Sequence, residues 1–183
     1  MSDTRILILP GLHDSGPKHW QTLWEQRRSD ARRVIQNDWD TPRCDDWIAA
    51  LERAVLDAPS SVLVAHSLAC SLVAHWAART RVRTVRGALL VAPADTEAPR
   101  VPADLAGFAP MPRVRLPFPS VVVASRNDPH VTLERARHFA SAWGGRFVNI
   151  GDAGHISDTV GEWPEGLALL DELEATGVIP LSD

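Results

Sequence analysis

A chain of 183 residues, 45% hydrophobic and 23% charged, is long enough to bury a substantial core and reads as one globular domain over 1–183. Its net charge of −4 offers no basic surface to nucleic acid, and no apolar run approaches membrane-spanning length. Cys44 and Cys70 lack metal-ligand spacing and read as small buried residues of a reducing compartment; Met1-Ser-Asp-Thr-Arg leads straight into a strand, so a cytoplasmic chain without a secretory leader is expected. The seven tryptophans, beside no tyrosine, have no explanation at this level.

Arg5 to Leu9 is a continuous apolar run stopped by Pro10-Gly11, which predicts a buried first strand. After the loop Gly11 to Gly16, Pro17 suits the first turn of a helix whose inner face is Trp20, Leu23, Trp24 and Arg27. A short strand over 32–36 follows. Thr41 then caps a helix with Pro42 at its first position and an apolar stripe of Cys44, Ile48, Leu51 and Val55. The run 61–65 predicts the third strand, and 68–79 a helix apolar nearly all round, which belongs in the middle of the molecule. The fourth strand is 85–91. The proline-rich stretch 92–119 is a long irregular connection, and connections of that length are functional or mobile. A fifth strand at 120–124, a helix lined by Leu133, Ala136, Ala140 and Trp143, a sixth strand at 146–150 and a final helix over 162–175 complete the chain. Strands alternating with helices across short loops imply a mainly parallel six-stranded sheet covered on both faces, with function at the carboxyl ends of the strands.

Ser67 stands at the turn from the third strand into the apolar helix, flanked by Ala65 and Ala69. This is a relaxed form of the G-x-S-x-G nucleophile elbow. Asp128 follows the fifth strand and His155 the sixth, so the order Ser, Asp, His is that of α/β-hydrolases. A serine hydroxyl needs a base to take its proton, and a carboxylate can hold that imidazole in the right tautomer. Asp95, after the fourth strand, is a rival acid, and Asp152 more naturally shapes the loop before His155. His66 is expected to point away from the nucleophile. For the oxyanion, the Leu68 N–H supplies one donor and Leu12, after Gly11, the second. His13, Trp20, Phe108 and Met111 are the expected lining of a shallow pocket. No phosphate loop, dinucleotide glycine pattern or metal cluster occurs, so neither cofactor nor metal is implied.

The pieces Leu9-Pro-Gly-Leu-His-Asp-Ser-Gly-Pro17, Lys18-His-Trp-Gln21, Ala65-His-Ser-Leu-Ala69, Ser125-Arg-Asn-Asp-Pro129 and Gly151-Asp-Ala-Gly-His155 resemble the small serine hydrolases of the YdeN-like, retinoblastoma-binding-protein-like family. That resemblance implies an α/β-hydrolase fold without a separate lid domain and the triad Ser67, Asp128 and His155. It also implies that the first and third strands lie side by side, with the Leu12 loop next to Ser67. The retinoblastoma-type motif L-x-C-x-E is absent; its nearest relative, Leu68-Ala-Cys-Ser-Leu72, has leucine in place of glutamate. The expected function is hydrolysis of a small-molecule ester or amide through an acyl-serine. The alternatives are acyl transfer by the same triad and partner binding on an inactive hydrolase fold.

Overall fold

The computed structural model describes residues 4–176. Its strands are β1 (Thr4–Leu9), β2 (Ala31–Arg33), β3 (Ser60–His66), β4 (Val85–Val91), β5 (Ser120–Ala124) and β6 (Arg146–Asn149). They form one sheet in the order β2-β1-β3-β4-β5-β6, and every neighbouring pair is parallel. The helices are α1 (Trp20–Arg27), α2 (Cys44–Leu56), α3 (Leu68–Ala77), α4 (Leu133–Trp143) and α5 (Pro164–Thr176).

Side chains alternate across a strand, and here both faces are apolar. Leu7, Leu9, Leu63, Ala65, Leu90 and Val122 enter the core shared with α2, α3 and α4. Ile6, Ile8, Val62, Val64, Val91 and Val123 enter a second core containing Trp20, Trp24 and Trp163. This is the α/β-hydrolase architecture. The chain runs from β1 outward to β2 and returns on the far side of β1 as β3, so the strand order reverses between β1 and β3. Ligands of open α/β sheets bind at such a reversal, and the Gly11 and Ser67 turns lie there.

Several local expectations need correction. Thr41 does not cap α2: its hydroxyl donates to Asp38, whose carboxylate also accepts the Asp40 and Thr41 amides, and the helix begins at Cys44 without a side-chain cap. Similarly, α1 starts at Trp20, with His19 Nδ1 accepting the Gln21 N–H, so Pro17 precedes the helix. The inner face of α1 is Trp20, Gln21 and Trp24, whereas Arg27 is exposed and ion-paired to Glu162. Gln21 is buried because its amide donates to the carbonyls of Leu9, the last residue of β1, and Val64, near the end of β3, and accepts from Ser15.

The stretch 92–119 is pinned. The Phe108 carbonyl accepts hydrogen bonds from Ser71, His75 and Thr96, and the Pro112 carbonyl accepts from Trp143. Three other tryptophans donate in the same way to carbonyls of irregular segments: Trp20 to Ile156, Trp24 to Glu162 and Trp47 to Asp38. An indole fills core volume while its N–H satisfies a loop carbonyl, which gives the tryptophan-rich composition a structural use.

Candidate active site

Ser67 sits between β3 and α3 with φ 57° and ψ −122°, a conformation costly for any residue with a side chain. Neighbouring bonds hold it there: its N–H donates to Val91 O (2.9 Å), and its carbonyl accepts the Cys70 N–H. Ala65 and Ala69 are both fully buried. The close approach here involves a different glycine. A Cβ on Gly11 would lie 2.9 Å from Ser67 Cβ and 3.0 Å from the His66 carbonyl, so only glycine lets the β1 loop pass over the β3 turn.

Ser67 Oγ lies 2.7 Å from His155 Nε2, and His155 Nδ1 lies 2.8 and 2.9 Å from the two Asp128 oxygens. The Asp128 side chain is fully buried and that of His155 is 18% exposed. Asp128 also accepts the His130 N–H at 2.8 Å. Ser125 and Asn127, which share the turn after β5, accept the Ala153 and Gly154 amides at 3.0 and 2.7 Å. The acid-bearing turn and the histidine-bearing loop are thereby stitched together. Such an arrangement can pass a proton from a serine hydroxyl to an imidazole whose second nitrogen is held by a carboxylate.

The other carboxylates are engaged elsewhere. Asp95 takes a two-pronged hydrogen bond from Arg135 (2.7 and 3.0 Å), and Asp152 pairs with Arg126 at the surface. His66 turns to the loop of His155: its Nε2 donates to the His155 carbonyl (2.8 Å), so the ring carries its proton there. Trp20 donates to the next carbonyl, Ile156 (2.9 Å), whose residue has φ 49°. The two donors thus grip consecutive peptide units beside His155. Sequence reasoning missed this role for His66 and Trp20, because it depends on a contact spanning 89 and 136 residues.

The rings of His19, His66, His155 and His130 follow one another with centroids 4.7, 4.8 and 4.5 Å apart. Burial is the main reason that the first two are reluctant to protonate. It brings His19 down to about 4 and holds His66 well below the usual imidazole range, with neighbouring imidazoles adding to the effect. His130 is lowered too, chiefly by burial and then by His155. Among the described residues, His19 Nε2 is buried without a hydrogen-bond partner.

The expected lining is corrected at three positions. Trp20, Phe108 and Met111 are fully or almost fully buried, drawn into the two cores instead of onto a pocket wall. His13 is exposed and its ring pairs with Asp40 at 2.8 Å. The backbone amides of Leu12 and Leu68 have no acceptor among the described residues, and the position a Gly11 Cβ would take is 3.3 Å from Leu68 N. Among the described residues no cluster of three His, Cys, Asp or Glu suits a metal ion, and no helix is long and apolar enough to cross a membrane.

A family model described as serine hydrolase matches residues 6–172. Among solved structures, a YdeN-like hydrolase from Pectobacterium atrosepticum is 30% identical, with 97% of this chain and 93% of that one covered at a TM-score of 0.84. The ydeN product of Bacillus subtilis is 19% identical over 94% and 99% of the two chains, with a TM-score of 0.75. An esterase from Rhodococcus shares the fold at 13% identity, covering 94% and 91% with a TM-score of 0.68. No curated protein sequence matches the chain. The extent of the family match and the similarity to the Pectobacterium protein lead to one conclusion: this chain belongs to the serine hydrolase family, among its YdeN-like members.

Proposed function

We propose that the protein cleaves small esters or amides through an acyl-serine on Ser67, with His155 as base and acid and Asp128 as its orienting carboxylate. The single observation carrying this reading is the unbroken hydrogen-bond series Ser67 Oγ–His155–Asp128, at 2.7 Å and then 2.8 and 2.9 Å. Ser67 Oγ attacks the substrate carbonyl carbon as its proton passes to His155 Nε2, giving a tetrahedral oxyanion. The unpaired amides of Leu68 and Leu12 are its donors, the first at the start of α3, where the helix dipole favours negative charge. Collapse breaks the bond to the leaving group, which takes the proton from His155. Water, deprotonated by the same imidazole, then releases the acid and restores Ser67.

A fluorophosphonate tests the reading, because an activated serine attacks phosphorus as it attacks carbonyl carbon. Covalent label is expected on Ser67 and lost in a folded Ser67→Ala variant; equal labelling of that variant would sink the assignment. Ser67→Ala and His155→Ala should each lower kcat by roughly 10³–10⁶, and the double variant hardly further, because the residues act as a unit. The cavity beside the site measures about 210 Å³, which favours short acyl groups. kcat/KM for p-nitrophenyl esters should therefore peak between acetate and butyrate, and a steady rise through decanoate would contradict that.

A further inference from the structure

The cavity beside the candidate triad lies between the segments that follow β4 and β5. One wall contains Ala94, whose N–H donates to the Ser67 carbonyl at 3.4 Å, and the other contains His130, whose ring centroid is 4.5 Å from that of His155. Neither Ser67 nor His155 lines it, so an occupant reaches them past the Ala94 and His130 walls that pack against them. Its sides are mostly small or aliphatic, including Val101, Pro102 and Leu105. Two other charge-bearing side chains line it, and their states differ. Asp95 is neutralised by the fork of Arg135. Arg100 is exposed at the rim and, among the described residues, has neither hydrogen bond nor ion pair. The nearby Glu97 is held by Arg113 and Arg135 and cannot serve as its counter-ion. At about 210 Å³ the cavity falls below the range of pockets for drug-sized ligands and suits a short substrate.

We propose that the substrate carries a carboxylate a few atoms from its scissile carbonyl and that Arg100 receives it, making the preferred substrates half-esters or half-amides of short diacids or esters of short hydroxy acids. This rests on the hydrolytic reading of Ser67 given above. A planar guanidinium matches a carboxylate with two parallel hydrogen bonds, and the apolar walls between the two ends fit the intervening methylenes. The bulk of the protein, at net charge −4, does not attract anions, so the preference is local to this rim.

The test compares isosteres that differ only in charge. Methyl hydrogen glutarate should exceed its neutral amide counterpart, methyl glutaramate, in kcat/KM by roughly fivefold, the upper end for a partly exposed ion pair, and high salt should shrink the ratio. Arg100→Gln should bring the ratio near one, and Arg100→Glu should invert it. A second pair, the acetyl ester of 3-hydroxypropanoate and of its amide, places the carboxylate on the leaving group. A preference confined to this pair assigns the anion to that half of the substrate. Independently of turnover, glutarate should slow fluorophosphonate labelling of Ser67 more than glutaramide does, and Arg100→Gln should erase the difference. No anion preference in either ester pair and no selective protection by glutarate, or a preference that survives Arg100→Gln, would overturn the proposal. Ser67→Ala is the separate control: turnover surviving in it would refute the hydrolytic reading whatever the charge ratio.

Discussion

Asp95 and Asp128 are alike at first sight: each lies in the turn just past the carboxyl end of a strand, on neighbouring strands, with a side chain almost or wholly buried. Their partners make them different. Asp95 faces α4, where Arg135 meets both its oxygens, and Glu97 with Arg113 extends the cluster into an ion-pair network. Asp128 faces the β6 loop and meets a single imidazole, that of His155. An arginine stays charged at any ordinary pH and fixes its carboxylate as structure. An imidazole can accept a proton and pass it on, so under the proposed mechanism the carboxylate that orients it takes part in catalysis. The position of an acid at a strand end thus does not define its role; the group opposite it does.

The largest expected effect breaks this contrast directly. Asp128→Asn should lower kcat by roughly 10³–10⁴ with little change in melting temperature, because an amide favours the wrong imidazole tautomer. Asp95→Asn should do the reverse: less than about tenfold in kcat, but a stability loss on the order of 1–2 kcal/mol as the Arg135 fork loses its charged acceptor. Steady-state kinetics beside thermal melts on the two variants decide it. The opposite ranking in kcat would move the orienting acid to β4.

The next effect concerns how closely the strand-end turns may approach. In Gly11→Ala the added methyl would meet Ser67 Cβ at 2.9 Å, and both are held by backbone. Either the Leu12 loop or the strained Ser67 turn must shift, and under the proposed mechanism a displacement of a few tenths of an ångström would misplace nucleophile and oxyanion donor together. A loss of roughly 10²-fold in kcat, with KM much less affected, is expected. Unchanged kcat would mean that the Leu12 loop does not contribute to the transition state.

Most of this architecture was legible in the chain. Apolar runs between turn residues disclosed the inner strands β1, β3, β4 and β5 within a position or two, because strands buried on both faces are largely apolar, and the more polar edge strands β2 and β6 were placed within about three positions. The polar residues past those strands, in the order Ser, Asp, His, led to the three side chains that now lie in one hydrogen-bond series. Residue order and the family resemblance point to Asp128 over Asp95, but the fork from Arg135 that occupies Asp95, 40 residues away, is a pairing that sequence spacing alone does not reveal. The buried Gln21 was invisible for a related reason. Its amide is compatible with the interior only because the carbonyls of Leu9 and Val64 converge on it. The cap assigned to Thr41 failed because Asp38, three residues earlier, captured the hydroxyl in a local turn.

A smaller effect tests the support under His155. In Trp20→Phe the indole N–H is lost and the Ile156 carbonyl is left unpaired in the core. His66→Gln retains an amide donor near the His155 carbonyl, whereas His66→Phe does not. Trp20→Phe and His66→Phe should each lower kcat by about tenfold with a modest change in KM, and His66→Gln should recover part of the loss. These are positioning residues, so the rate of fluorophosphonate labelling should fall in step with kcat. Equal kcat in His66→Gln and His66→Phe would show that the ring only fills space.

The last and smallest effect returns to the two strand ends, now as a function of pH. Around Asp95 the network is ionic, and Glu97 is held down to about 2, first by its hydrogen bond to Arg113. Its contribution is present above the ordinary carboxylate range and is lost only as the pH falls toward 2. On the Asp128 side the support beneath His155 is neutral. His19 is lowered, mainly by burial, from 6.5 to about 4, and His66 is displaced in the same direction. Below pH 6.5 the unfolded chain takes up a proton that folded His19 refuses, so stability is present above 6.5 and drains away as the pH falls toward 4. Each group contributes a slope of at most roughly 1.4 kcal/mol per pH unit in that window. His19→Asn keeps an acceptor for the Gln21 N–H at the start of α1 while removing the titration. Urea melts of this variant between pH 7 and 5 should show a distinctly flatter loss of stability than the parent, whereas a Glu97→Gln variant should retain the parental slope over the same range. A parental slope in His19→Asn would mean that the acid sensitivity lies elsewhere, and that the two strand ends do not differ in the way their partners suggest.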